Sequence, residues 1–358
     1  SSGDVTYNSN PDPFFIEKAV ALGIADNDVN EIGSMGFGSV WGDYDNDLDF
    51  DLYLLNWGVN RLFNNNVNTF TNVAGLGNPL EAQELSNGAS WGDFNNDGLL
   101  DLWASAIRNI DDVIINEGDD TWAINYSPYF LSGTQDVISG DINNDGWLDV
   151  FAAGLKMQNG PTGAKYTSLL YNNVTADSSS STNHWLKIRL VGAMSGNSIN
   201  NGWSPQTNRS AIGAKVILHL DNGDIMRMVN GGKGNGNMDP LQLHFGMDNQ
   251  QSANGMTIYW PSHDGSGNQQ KITYIPGPIS SDLSYTLIED TNILCENLDD
   301  CIENLAFEDH TISTDANGAR SVYAIDIDSD GDMDILSASS DDDKIAWYEN
   351  NGSASFTE

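Results

Sequence analysis

An all-β fold is predicted for this chain of 358 residues from three features. Strand-length runs of alternating apolar and polar residues dominate it, one block recurs at spacings of 50 and 48 residues, and each block closes on a polar turn rich in Asn, Asp and Gly. Helix signals are few: EKAVALGI at 17–24 reads as a turn or two.

The recurring block is the first element to justify, because a missed repeat misassigns the whole fold. Four segments align without gaps: WGDYDNDLDFDLYLLN from Trp41, WGDFNNDGLLDLWASA from Trp91, SGDINNDGWLDVFAAG from Ser139 and AIDIDSDGDMDILSAS from Ala324. Their period matches one four-stranded propeller blade of roughly 40 to 50 residues. The fourth copy begins its aspartate series at Asp326, 185 residues after Asp141, so other sequence intervenes. Each block also ends alike, in NRLFNNNVNTF at 60–70, DDVIINEGDDTW at 111–122, SLLYNN at 168–173 and KIAWYENNGSASF at 344–356. An apolar pair, an Asn, a polar turn and an aromatic residue together read as a β-hairpin.

The intervening stretch has a different texture. WLKIRLVG, AKVILHL, DIMRMVN, LQLHFGM, MTIYWPS and KITYI are strand-like and separated by Gly and Asn turns, which predicts a compact β-sandwich or barrel of its own. DSSSSTN at 177–183 and PGPISSD at 276–282 resemble boundaries. The expected organisation is propeller blades over 1–175, a second β domain over 183–290, a linker over 291–304 and a further blade over 305–358. Cys295 and Cys301, the chain's two cysteines, suit a small disulfide loop formed in an oxidising compartment better than a metal site, two free thiols being the alternative.

Each repeat carries D-x-[DN]-x-D-x-x-x-D, which sets oxygen-bearing side chains at positions one, three, five and nine of a tight loop between strands. Such a loop surrounds one hard cation. Calcium accepts six to eight oxygens in flexible geometry, whereas magnesium demands a stricter octahedron. The expected side-chain ligands are Asp43, Asp45, Asp47 and Asp51; Asp93, Asn95, Asp97 and Asp101; Asp141, Asn143, Asp145 and Asp149; and Asp326, Asp328, Asp330 and Asp334. Position seven would give its carbonyl, which explains its tolerance of Asp49, Leu99, Trp147 and Asp332. About four ions per chain are expected. Position six is Gly98, Gly146 and Gly331, where positive φ is needed; Leu48 departs from this and predicts a strained first loop. Plain Asn/Asp turns are the competing reading, and four copies in register weigh against it.

Composition narrows the partners. Against 51 Asp and Glu stand 14 Lys and Arg, a net charge of -37 that repels nucleic-acid backbones and anionic lipid. Bound cations or a salty medium would relieve the self-repulsion. No run reaches the roughly 20 apolar residues of a membrane helix. The chain opens Ser1-Ser2-Gly3, as expected if a leader has been removed or if this is part of a longer chain.

With these loops in place, the chain resembles the FG-GAP and VCBS repeats of integrin-α-like propellers, over about residues 14–173 and 305–358. Residues 183–290 resemble the ASPIC/UnbV domain of bacterial secreted proteins and the cartilage acidic protein family, through NHWLKIRLVG, NRSAIGAKV, LQLHFGM and MTIYWPS. The resemblance implies a calcium-bearing extracellular propeller used in adhesion or matrix contact. Closed propellers of this kind have more blades than the three that precede residue 183, which suggests blades supplied by further chain or by a neighbouring copy.

Three functions follow as expectations: a secreted, non-catalytic adhesion or scaffold protein contacting carbohydrate or protein at a cell surface or matrix; a subunit of a head-to-tail filament; and a polysaccharide-active enzyme. The third has least support, because His184, His219, His244, His263 and His310 stand in no nucleophile or zinc motif. Lys187, Arg189, Arg209, Lys215, Arg227 and Lys233 concentrate in the second β domain and make it the better place for an anionic ligand, unless they are solvated strand faces. Trp41, Trp91, Trp103, Trp147 and Trp347 are expected to pack in or between blades rather than to stack on sugars.

Overall fold

The computed structural model describes residues 18–24, 36–67, 69–73, 80, 83–106, 111–126, 134–154, 168–171, 173, 182–192, 207–233, 238–263, 270–289, 293–296, 312–325, 327–328, 334–351 and 356–357. They fall into two compact units, Ser1–Cys301 and Ile302–Glu358. The helical expectation reduces to a single turn, α1 (Ala19–Leu22), ended by Gly23 at φ 84°.

Three antiparallel blades open the first unit. Blade 1 contains β1 (Gly36–Gly42), β2 (Asp51–Val59), β3 (Arg61–Asn65) and β4 (Phe70–Asn72) in sequential order, with β5 (Gln83–Leu85) on β2. Blade 2 is β6 (Ala89–Gly92), β7 (Asp101–Ala104), β8 (Asp112–Gly118) and β9 (Thr121–Tyr126). Blade 3 is β10 (Thr134–Gly140), β11 (Asp149–Gly154) and β12 (Ser168–Tyr171). The aspartate loop is the connection between the first and second strands every time, and its ends pair in the same register: Gly42 with Asp51, Gly92 with Asp101, Gly140 with Asp149.

Apolar residues pack between blades as well as within them. Val40, Tyr53, Leu55 and Leu62 of blade 1 share a buried cluster with Leu102 and Ile114 of blade 2, while Phe94 and Trp103 of blade 2 join Val137, Leu148 and Val150 of blade 3. Glycine at the end of a first strand is required by this close approach. A Cβ on Gly42 would stand 2.9 Å from Trp91 Cδ1 and 3.0 Å from Leu100 Cδ1.

The second domain is a sandwich, as expected from its strand texture. One sheet runs in the order β16 (Gln242–Gly246), β13 (Trp185–Val191), β19 (Leu283–Ile288), β20 (Leu294–Cys295), with β13 and β19 parallel. The other runs β15 (Gly223–Met228), β14 (Lys215–Leu220), β17 (Ser252–His263), β18 (Gln270–Ser280). Alternating inward residues of both sheets, including Leu186, Ile188, Val216, Leu218, Phe245, Ile258 and Trp260, form one core. Cys295 is disulfide-bonded; Cys301, the other cysteine of the chain, lies outside the described residues.

The second unit is a blade by itself: β21 (Ala319–Ile325), β22 (Asp334–Ser339), β23 (Lys344–Asn350) and β24 (Phe356–Thr357), in sequential antiparallel order. Of its expected ligands, Asp328 and Asp334 are described, while Asp326, Asp330 and Asp332 lie outside the described residues.

Candidate metal loops beneath the sandwich domain

The loops fold the same way because their own carboxylates cap their own amides. In loop 2, Asp93 Oδ2 accepts from Gly98 N at 2.8 Å and Oδ1 from Asp97 N at 3.1 Å; in loop 3, Asp141 Oδ2 accepts from Gly146 N at 2.9 Å and Oδ1 from Asp145 N at 3.1 Å. Position three repeats the motif, Asn95 and Asn143 each accepting from the position-five amide at 3.0 Å. These Asx turns bring the acidic oxygens to one side of a tight ring.

Position six behaves as its glycine predicts, with φ 94° at Gly98 and 88° at Gly146. Leu48 is forced to φ 72° instead, in a region that costs an L-residue about 1–2 kcal/mol. Its amide reaches Asp43 Oδ2 only at 3.2 Å, and Asp43 Oδ1, fully buried, has no hydrogen-bond partner. Ligand atoms of Asp43, Asp45 and Asp51 lie within 4.8 Å of one another, close enough to share one cation.

Position nine has a second task that the spacing alone did not reveal. Asp51, Asp101, Asp149 and Asp334 each take the position-two amide on Oδ2, at 2.9 to 3.2 Å, and the amide of an asparagine in or just past the third strand on Oδ1, at 2.8 or 2.9 Å. These aspartates therefore brace the blade whether or not they touch an ion. Position seven differs in burial: Trp147 is 6% exposed and belongs to the packed interior, as does Trp103. Trp41 and Trp347 are 42% and 39% exposed, against the expectation that they pack.

Asparagines tie consecutive loops together. At position four, Asn46 (φ 59°) and Asn96 (φ 58°) adopt the left-handed conformation that Asn tolerates, and donate through Nδ2 to the position-six carbonyls of the next loop, Gly98 and Gly146, at 3.3 and 3.2 Å. In the other direction, Asn116 of β8 and Asn173, two residues past β12, donate to the position-two carbonyls of the preceding loop, Tyr44 and Phe94, both at 2.8 Å. The repeated Asn at these positions is the signal that the sequence carries for these ties.

The loops are not open to solvent on every side, because the sandwich domain sits on them. Asn183 Nδ2 donates to Asn95 O at 2.9 Å, Asp248 N to Asn96 O at 2.9 Å, and His244 Nε2 to Gly146 O at 3.0 Å. Lys187, 2% exposed, donates to Asp141 Oδ2 at 2.5 Å and Asn144 Oδ1 at 3.3 Å. Arg227, 8% exposed, reaches Gly98 O at 3.4 Å and is attracted by Asp93, Asp43, Asp101 and Asp97. Asp239 enters between blades, accepting from Ser90 Oγ at 3.0 Å and from Lys233 Nζ at 2.6 Å. Thus the solvated-face reading fails for Lys187, Arg227 and Lys233: the cations of Lys187 and Arg227 are buried against blade aspartates, and that of Lys233 against Asp239 of its own domain.

Burial dominates the ionisation of the acidic ring. It lifts Asp43 and Asp93 to about 7 and Asp51 to about 8, with Arg227 pulling Asp43 and Asp93 back down and neighbouring aspartates adding to the rise. Asp101 is raised well above the usual range for the same reason, with Asp93 adding to the rise. Carboxylates in this condition hold a proton or a cation.

Comparison with known proteins agrees with this architecture. A family model described as FG-GAP-like repeat matches residues 43–104 and 93–152, and one described as ASPIC and UnbV matches 204–290. No curated protein matches the chain. Among solved structures, the SapL1 lectin in complex with alpha methyl fucoside is similar at 11% identity and a TM-score of 0.24, over 89% of this chain and 94% of that one. FG-GAP-like repeats are typical of extracellular adhesion-type proteins, and among the described residues no helix is long and apolar enough to cross a membrane. The chain is therefore an FG-GAP-repeat protein with an ASPIC/UnbV domain.

Proposed function

We propose that this is an extracellular, non-catalytic scaffold whose blade loops hold calcium and whose surfaces contact carbohydrate or protein. The observation that carries the calcium reading is Asp43: its Oδ1 is buried without a partner in a ring whose other acidic oxygens lie within 4.8 Å. A buried carboxylate oxygen left unpaired costs about 1–3 kcal/mol, more when charged, and a divalent ion removes that cost. The ligand sets are those of loops 1 to 4, with Asp43, Asp45, Asp47 and Asp51 forming the first. Calcium would add to the positive charge that Lys187 and Arg227 bring to the acidic loops.

The test is thermal unfolding in excess EGTA and after calcium is restored, with bound metal counted by mass spectrometry. Binding to the folded state stabilises it by RT ln(1 + [L]/Kd), about 2.7 kcal/mol per site at a hundredfold excess over Kd. A calcium-specific rise in melting temperature with about four ions per chain is expected. Absence of both metal and shift would leave the loops as hydrogen-bonded turns and remove the calcium reading.

A further inference from the structure

A cavity of about 440 Å³ lies where β1, β6 and β10, the first strands of the three blades, meet the sandwich domain. Its size falls within the roughly 300–1,000 Å³ of small-molecule sites. Four of the side chains around it, Asp43, Trp91, Arg227 and His244, each have a buried polar atom with no hydrogen-bond partner: Oδ1, Nε1, Nε and Nδ1. Buried polar groups in folded proteins are nearly always paired, so four orphans around one hollow mark a place where something else supplies the partners.

Their chemistry specifies the complement. Arg227 Nε and Trp91 Nε1 can only donate. His244 Nε2 faces the Gly146 carbonyl, which can only accept, so Nε2 carries the proton and Nδ1 presents a lone pair. Burial lowers the pKa of His244 to about 4 and keeps the ring neutral. The occupant must therefore offer oxygens to a guanidinium and an indole, and a hydroxyl to an imidazole. Trp41, in the same wall and 42% exposed, adds an aromatic face.

Charge selects further. Arg227 is balanced by Asp93 and Asp43. If those carboxylates give their charge to calcium, as the proposed function holds, Arg227 needs a new counter-ion, and a carboxylate oxygen can accept from its unpaired Nε, the terminal nitrogens being held by the Met226 and Gly98 carbonyls. We propose that this cavity binds a carboxylate-bearing sugar, a uronic acid, with the carboxylate on Arg227, a hydroxyl on His244 Nδ1 and the ring against tryptophan. Asp43 Oδ1 is left to the metal.

The test uses the full chain with its metal content counted. Galacturonate, glucuronate and glucose are titrated by calorimetry with calcium and with EGTA, while tryptophan fluorescence is followed. The expected result is saturable uronate binding that glucose does not reproduce, weakened at least tenfold in Arg227→Gln and severalfold in Trp91→Phe, which removes only one donor and a small part of the ring system. Equal binding of glucose, full affinity in both variants, or no binding to folded, calcium-loaded protein overturns the proposal. If Arg227→Gln does not fold, Trp91→Phe alone decides: retained affinity overturns, reduced affinity supports. Uronate binding should weaken in EGTA, where Asp43 and Asp93 keep Arg227; chain that carries no calcium yet binds uronate equally well would refute the metal reading and the charge step that rests on it, while upholding the cavity as the sugar site.

Discussion

Lys187→Met tests whether the sandwich domain is held to the blades by a buried cation. The lysine is 2% exposed, its partner Asp141 is 2% exposed at the side chain, and their contact is 2.5 Å. Methionine preserves the apolar stem and its packing while deleting the charge. Breaking a buried pair by removing one partner typically costs about 3–5 kcal/mol, because the remaining charge stays desolvated. For a unit of this size each kcal/mol shifts the melting temperature by roughly 2–4 °C, so calorimetry in EGTA should record a fall on the order of 10 °C. Calcium at loop 3 would give Asp141 another counter-charge, and the same substitution should then cost clearly less. A loss below about 1 kcal/mol in EGTA, the size of an exposed pair, would mean that Asp141 needs no cation from the sandwich and would refute the reasoning.

Gly246→Ala should loosen the same junction sterically: the new methyl would overlap Asp93 Oδ2 and stand 2.5 Å from Asn96 Cα, and overpacking of this kind costs about 1–3 kcal/mol, readable by denaturant unfolding. Leu48→Gly should stabilise by about 1 kcal/mol by removing the strain at φ 72°, and should tighten calcium at loop 1 in a competition titration; a loss of stability would count against strain there. In EGTA, stability should fall as pH rises from about 4 to 8, because Asp43, Asp93 and Asp51 keep protons in the folded chain up to about 7 or 8 that unfolded carboxylates release near 3.8. Each such group contributes a slope of up to about 1.4 kcal/mol per pH unit, and calcium should reverse the sign, since protons then displace the ion; melting temperatures at pH 5 and 8 decide both.

The all-β architecture was legible because it is written locally: alternation sets the strands, and Asp, Asn and Gly at fixed offsets set the loops. The positive φ of Gly98 and Gly146 and the anomaly at Leu48 were readable for the same reason, being properties of a single residue in a known turn. What could not be read was mutual placement. Nothing in KIRLV reveals that Lys187 lies on Asp141, 46 positions earlier, or that Arg227 lies near Asp93, because these are contacts between domains fixed by sandwich packing. The double duty of Asp101 and Asp149 was hidden likewise, since the amides they hold belong to Asn116 and Asn173, 15 and 24 residues further along the chain.

The paired amides of Asn46, Asn96, Asn116 and Asn173 have a mechanical meaning. Each loop leans forward on the next and is steadied from behind by it, so along the blades a displacement at loop 1 reaches loop 3 through Gly98 and Phe94. Blades coupled in this way form a relay of neighbours rather than a rigid ring. Damage at one station is felt strongly beside it and fades beyond, so adding or losing a blade at an end can leave the distant loops undisturbed.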